Sequence, residues 1–420
     1  MKQIAQVLHN AVVENERVIV VALMACLLLG GILYGLSLGG DLRYIDEHEY
    51  VTIARNLLAG NGYSLDGRLP TAYRSPGYPF FIAAGLALGG DIVTVRILNI
   101  ACLLLSLICL FRLGRRAGGP GAGLAAVLVA LGYPVLVYTA GTLYPQTLAS
   151  CLLLMVLVAL FDAETLTLWR IAVAGMLCGI LILTSPSFIF LLAFLAAWIL
   201  VTGRFRWDVL LKTATLIVVA TLVLLPWHVR NQRTFGRFFF VSTNGGINLL
   251  LGNCEKTTPN AGVNIDLSKY GAPELDEVER DAHYRRAALQ YMKTHPARTL
   301  EMYVLKFLNY FNYSNKLYAA AEGSSWRDLM MLLTYGGLLG LAVLRLFAAR
   351  RVPLSRLERF VFSFYVANGA FAAIFITRIR FRVPLDFMLT SASGVTLILV
   401  LRAIAGATTA GGAVSRSTDS

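Results

Sequence analysis

Residues 18–38 form a run without one charged side chain, and nine further predominantly apolar runs follow: 93–111, 121–139, 145–161, 169–185, 187–202, 209–228, 328–347, 358–377 and 383–401. A helix of about 20 apolar residues matches the hydrocarbon thickness of a bilayer. A backbone crossing that layer must satisfy its own hydrogen bonds, and uninterrupted runs of this length do so as helices. The expected fold class is therefore an all-α polytopic membrane protein with about ten transmembrane helices. The runs 169–185 and 187–202 are parted only by Ser185-Pro186-Ser187, which reads as a tight hairpin or a broken pair. The longest polar stretch, from about Arg230 to His295, leaves no room for a soluble domain of conventional size.

The chain is strongly basic, with a formal net charge of +13, yet its arginines sit in short loops between the apolar runs. In a membrane protein that pattern reports orientation and headgroup contact, so nucleic acid is not an expected partner. Arg112, Arg115 and Arg116 form one basic loop, and Arg204, Arg206 and Lys212 a second. Arg345, Arg350, Arg351, Arg356 and Arg359 form the third. With ten spans all three loops fall on one side with both termini, and the positive-inside rule makes that side cytoplasmic. The expected location is the inner (plasma) membrane. Lys2, Glu14, Glu16 and Arg17 precede the first run without a convincing cleavage site, so that run reads as a retained span. Of six cysteines only Cys254 lies in a polar loop, so neither a disulfide framework nor a metal spacing emerges.

The opposite face holds the remaining polar sequence: the segments 39–92 and 229–327 and the link Thr377-Arg378-Ile379-Arg380-Phe381-Arg382. Three arginines at alternate positions on the outer side break the positive-inside rule. They suggest guanidinium forks for a phosphate at headgroup level, against the plainer reading of snorkelling helix ends. The runs Ala117–Phe161, Ile171–Gly203 and Phe360–Thr377 carry no ionisable acidic or basic side chain. That weighs against ion-coupled transport, which needs charge near the midplane.

Directly after the first run stand Asp46, Glu47, His48 and Glu49. Carboxylates are too costly to leave in lipid, and beside its surface they can do acid–base work on a substrate held there. Residues 46–59 have helical spacing, with Tyr50, Ile53, Ala54, Leu57 and Leu58 on one face and Gly60-Asn61-Gly62 as the stop. Asp46 is the expected N-cap, with Glu49 completing a capping box. Asp41 is a second candidate carboxylate. Asp46, Glu47 and His48 would need ligands from elsewhere to hold a divalent metal, so no cofactor is firmly implied. Arg74 lies in the turn Tyr73-Arg74-Ser75-Pro76-Gly77-Tyr78-Pro79, ahead of a short apolar stretch, 80–88, expected to be re-entrant or to lie along the surface. The 209–228 run ends near Trp227, expected in the interfacial aromatic belt, and is followed by Arg230, Asn231 and a loop from Ser242 to Asn253 rich in Asn and Gly. That loop includes Asn244 and is suited to sugar hydroxyls or phosphate oxygens. A charged helix over 276–294 and an aromatic, interfacial one over 300–311 complete the outer loops.

The order of these motifs resembles the GT-C membrane glycosyltransferases of the protein O-mannosyltransferase, aminoarabinose transferase and rhizobial galacturonosyltransferase type. The matching pieces are Asp46-Glu47 with Tyr50, Arg74-Ser75-Pro76-Gly77-Tyr78-Pro79, Trp227-His228-Val229-Arg230-Asn231 through Asn253, and Arg378 through Pro384. The resemblance implies one GT-C-like domain over 1–405; the small, polar residues 406–420 are expected to form a disordered cytoplasmic tail. The resemblance also implies a polyprenyl phosphate-linked sugar donor used at the outer, periplasmic face. Two departures stand out: Arg74 occupies a position that is often lysine, and the C-terminal soluble domain of the larger members is missing, which leaves the acceptor open.

The expected chemistry is inverting transfer to an acceptor hydroxyl of lipopolysaccharide, another envelope glycan, a lipid or a protein. Asp46 serves as base, supported by Glu47. Arg74, Arg378, Arg380 and Arg382 bind the donor phosphate, and Asp41, Tyr50, Tyr78, Arg230, Asn231 and Asn244 line the substrate. Two readings compete: a flippase or transporter of lipid-linked sugar that forms no new bond, and a non-catalytic scaffold of envelope assembly.

Overall fold

The computed structural model describes residues 14–260, 265–271, 274–314 and 325–414. Among them the backbone is helical, with no β-pairing beyond one isolated bridge between Ser64 and Pro70. The helices are α1 (Glu16–Leu38), α2 (Ile45–Leu58), α3 (Gly77–Ala87), α4 (Ile92–Gly118), α5 (Ala122–Leu131), α6 (Pro134–Gly141), α7 (Gln146–Phe161) and α8 (Leu168–Thr184). After a 3-10 turn at Pro186–Phe188 come α9 (Ile189–Thr202), α10 (Trp207–Phe235), α11 (Gly245–Leu251), α12 (Glu277–Thr294), α13 (Pro296–Tyr310), α14 (Ser325–Ala348), α15 (Arg356–Ala372) and α16 (Ile379–Val414). Of the expected tail, 415–420 lie outside the described residues, and α16 runs on to Val414.

Every apolar run of the sequence falls on a helix, and the chain is a multi-pass membrane protein. Length and composition give fewer crossings than the ten expected. The helices α1, α4, α10, α14 and the 379–403 part of α16 are long and apolar enough to span, and α5 with α6 makes a sixth if the pair is one span. That pair bends by 63°, where Pro134 denies the helix a donor and restricts Tyr133 before it. The runs in α7, α8, α9 and α15 give helices of 16, 17, 14 and 17 residues, shorter than the roughly 20 residues a straight crossing needs.

The core lies between α4, α7, α8, α15 and α16, around Leu107, Leu153, Leu157, Leu181, Phe364 and Phe387. An aromatic ladder joins α9 to α15, with the Phe190 and Phe371 rings stacked at 4.6 Å. One basic residue assigned from sequence to a cytoplasmic loop is instead internal: Arg345 is 1% exposed and pairs with Glu358, Nε to Oε1, at 2.6 Å.

Two further features position α2 and the turn bearing Arg74. The short helix α3 packs with buried Tyr78 and Ile82 against α4 and α8. Its first residue, Gly77, leaves no space for a side chain, since a Cβ there would lie 2.6 Å from Thr184 Oγ1 and 2.7 Å from Thr184 N. The Pro76-Gly77 step thus lets the turn bearing Arg74 seat on the end of α8. Arg96, 1% exposed on α4, donates to the carbonyls of Gly39, Asp41 and Gly141, fixing the chain between α1 and α2.

Candidate active site

The helix α2 starts two residues earlier than its sequence spacing suggests. Its cap is Tyr44 and the third helical residue is Glu47, not the Asp46/Glu49 pair expected from sequence. Glu47 is 1% exposed. Its carboxylate accepts from the backbone N–H of Arg43 at 2.6 Å, of Tyr44 at 3.0 Å and of Leu143 at 2.8 Å. Those bonds close the N-terminus of α2 and tie it to the chain after α6. All this leaves Glu47 turned away from Asp46 in its hydrogen bonding.

Freed from capping, Asp46 faces the other way, and two arginines from distant parts of the chain meet on it. Arg74 Nη2 donates to Oδ1 at 2.6 Å and Arg380 Nη1 to Oδ2 at 2.9 Å. Arg74 Nε donates at 2.5 Å to Glu49 Oε2. The Arg74 guanidinium lies 5.2 Å from the ring centres of both Tyr50 and Tyr73, and that of Arg380 lies 5.4 Å from Tyr144. Aromatic faces hold each planar cation on its flat sides, leaving its edge for oxygen ligands. All four charged side chains keep partial exposure, from 15% for Arg74 to 34% for Arg380. Arg380 Nε is buried and has no acceptor among the described residues. Burial works to raise the proton affinity of the Asp46 carboxyl, but the Arg380 and Arg74 guanidinium groups outweigh it and hold the group below its ordinary 3.8.

The backbone that presents Arg74 is braced independently of its side chain. Tyr63 donates its hydroxyl to Arg74 O at 2.7 Å. Glu277 of α12 accepts from Thr71 Oγ1 at 2.6 Å, Ala72 N at 2.8 Å and Thr243 Oγ1 at 2.5 Å. Arg230 donates to Thr71 O at 2.9 Å and to Asn231 Oδ1 at 3.0 Å, with its guanidinium 4.8 Å from the Trp227 ring.

Other expected site residues take different places. The arginines of 378–382 do not act as a row. The helix α16 begins at Ile379, and residues two apart on a helix point about 200° apart. Arg380 therefore reaches Asp46 while Arg382 turns inward, 1% exposed. Arg382 Nε donates to Asp386 at 3.1 Å, and its guanidinium covers the Tyr335 ring at 3.6 Å. Arg378 is half-buried and engaged with its surroundings. Tyr78 is fully buried and accepts from Asn99 Nδ2 at 3.1 Å. Asn231 is likewise buried, with Nδ2 unpartnered among the described residues. Asn244 caps α11 and accepts from Ser242 Oγ at 2.8 Å. Asp41 is exposed, and its carbonyl rather than its carboxylate meets Arg96. Trp227 is buried, donating from Nε1 to Val241 O at 2.7 Å, so it braces the loop after α10 instead of sitting in an interfacial belt.

Sequence reasoning left Glu49 unassigned and passed over Glu277, Lys306 and Asp386. Asp386, 0% exposed, accepts from Tyr365 at 2.7 Å, Tyr133 at 3.1 Å and Arg382. Its signal was legible: a lone carboxylate in an apolar run, four residues after an arginine, is the helical spacing of an ion pair. Among the described residues no group of three or more His, Cys, Asp or Glu side chains gathers as a metal site.

The truncation Glu47→Ala separates a bracing role from a chemical one. It should strand three backbone N–H groups, at about 1–3 kcal/mol for each group left unsatisfied, and lower the melting temperature of the protein in detergent. A Glu47→Ala protein with unchanged melting but abolished transfer would return Glu47 to the chemistry.

Residues 73–229 match the family model described as dolichyl-phosphate-mannose-protein mannosyltransferase. No curated protein matches by sequence. Among solved structures the chain is similar to the Archaeoglobus fulgidus oligosaccharyltransferase. In the apo form of that enzyme the TM-score is 0.53 at 12% identity, covering 93% of this chain and 52% of the other. In its complex with Zn and sulfate the TM-score is 0.52 at 13% identity, covering 90% and 49%. A looser likeness, at TM-score 0.45 and 17% identity, is to ArnT from Cupriavidus metallidurans bound to undecaprenyl phosphate, covering 91% of this chain and 78% of the other. This chain thus spans about half of the archaeal enzyme. The resemblance read from the motifs holds: the fold is that of the GT-C membrane glycosyltransferases, and the turn bearing Arg74 through Val229 matches the mannosyltransferase model.

Proposed function

We propose that this GT-C-fold membrane protein transfers a sugar from a polyprenyl phosphate-linked donor to an acceptor hydroxyl, with inversion, at the outer face of the membrane. The observation that carries the reading is the meeting of Arg74 and Arg380 on the Asp46 carboxylate. A transferase of this class needs a base for the incoming hydroxyl and fixed positive charge for the departing phosphate, within one substrate's reach of each other. The unpartnered Arg380 Nε supports the same reading, because a buried donor without an acceptor is costly unless a ligand supplies one.

The charges also suggest an order of events. Without substrate, Asp46 and Glu49 balance Arg74 and Arg380. A phosphodiester arriving at the two guanidinium groups draws them from Asp46. The carboxylate then loses the partners that depress its proton affinity, and becomes a better base once the donor is seated. The acceptor hydroxyl gives its proton to Asp46 as its oxygen attacks the anomeric carbon. The C–O bond to phosphate breaks on the opposite side, and Arg74 and Arg380 take up the charge that grows on the leaving oxygen. Tyr50, Tyr73 and Tyr144 keep the cations flat.

Purified protein reconstituted with polyprenyl phosphate sugars and envelope extract should form a new glycosidic bond and release polyprenyl phosphate, detected by mass analysis. Movement of the lipid-linked sugar across the bilayer with no new bond would replace this reading with the transporter.

A further inference from the structure

Lys306 is a buried cation whose ammonium meets only carbonyls among the described residues. It sits on α13 at 1% exposure, and its ammonium donates to Gly252 O at 2.7 Å and Phe375 O at 2.8 Å, with no carboxylate among its described partners. Burying a charge against carbonyls alone is expensive. Burial pushes the amine down to about 8. The stretch that it holds, 373–377, is the irregular backbone between α15 and α16, directly ahead of Arg380. Such backbone must find hydrogen bonds from neighbouring protein.

The side chains that donate to its carbonyls come from the segment 229–327. Asn253 Nδ2 donates to Ile374 O at 2.8 Å, Lys306 to Phe375 O, and Asn309 Nδ2 to Thr377 O at 3.1 Å and Oγ1 at 3.0 Å. Thr377 Oγ1 returns a bond to Lys306 O at 3.0 Å. Gly252 makes the approach possible, because a Cβ there would overlap the Phe375 carbonyl oxygen and come 3.2 Å from Lys306 Nζ. Arg380 follows three residues beyond Thr377, in the first turn of α16, and meets Asp46.

We propose that Lys306 is a positioning residue for Arg380: by tying the Gly252 and Phe375 carbonyls together it sets where Arg380 meets the donor phosphate. The proposal rests on the sugar-transfer reading above. Arg74 is outside this device, since its turn is braced by Tyr63 and Glu277.

The test is a double-mutant cycle on the full chain in nanodiscs, with undecaprenyl phosphate as the probe and binding read by native mass spectrometry. Lys306→Met should weaken binding about five- to tenfold. On an Arg380→Ala background the same substitution should cost nothing more, whereas on an Arg74→Ala background its loss should persist. A general structural role would cost the same on both backgrounds, and that result overturns the proposal. Should Lys306→Met fail to elute as a monodisperse species, Asn309→Ala takes its place in the cycle with the same pattern required. Wild-type protein that does not bind the probe would sink the sugar-transfer reading itself. Wild-type binding that Lys306→Met and Asn309→Ala leave intact would sink only the positioning role.

Discussion

Replacing Asp46 by asparagine should lower kcat by about 10²–10⁴-fold while donor binding stays the same or tightens. The two halves of that expectation come from one geometry. Asp46 is the only carboxylate bound to both Arg74 and Arg380 among the described residues, so it both offers the base and competes with the phosphate for the cations. Asparagine keeps the size of the side chain and removes the charge. The base is lost, and the guanidinium groups are left with less to hold. Steady-state kinetics and probe binding in the same preparation decide the matter. A mutant with full kcat removes Asp46 from the chemistry, and one with weakened donor binding shows that the carboxylate orders the arginines more than it competes with them.

The acid side of the pH profile follows from the same contacts. The folded-state proton affinity of Asp46 lies below its ordinary 3.8. A depressed carboxyl contributes stability above its unfolded value and loses that contribution as pH falls through the folded value. Without donor, Asp46 therefore stays ionised from neutral pH down to about pH 5, and no loss of stability over that window belongs to it.

Much of this site was legible in the sequence, and the parts that were not share a cause. Apolar runs located the helices because burial in lipid leaves a long, one-sided record in composition. Counting runs and basic loops put Asp46, Arg74 and the 378–382 arginines on one expected face, and the structure brings Asp46, Arg74 and Arg380 together. What failed was direction. Whether 377–382 is extended or helical decides which arginine faces Asp46, and a short link with Arg at alternate positions suits either form. Likewise a shift of two residues in where α2 starts exchanges the roles of Asp46 and Glu47: one becomes a ligand of the arginines and the other a cap. Lys306 and Glu277 were invisible for another reason. Each acts on backbone far away in the chain, Phe375 and Ala72, and no local spacing records such a bond.

Arg74→Ala should reduce kcat/KM for the donor by about 10²–10³-fold, with the loss falling on both KM and kcat. The guanidinium is placed to hold the phosphate before reaction and to stabilise the charge that grows on it during bond cleavage, so removing it affects both. The substitution is a fair test because the turn does not depend on the side chain. Tyr63 holds the Arg74 carbonyl, Glu277 holds Thr71 and Ala72, and Pro76-Gly77 seats the following helix on α8. Arg74→Lys sharpens the test. A lysine restores charge, but its single nitrogen has to replace two guanidinium nitrogens, Nη2 on Asp46 and Nε on Glu49. It should recover part of the KM loss and less of the kcat loss. Recovery of both by lysine would mean that Arg74 supplies charge alone. Unchanged donor kinetics in Arg74→Ala would move the phosphate site away from this turn and leave the meeting of the two arginines on Asp46 as a structural clasp between the ends of the chain.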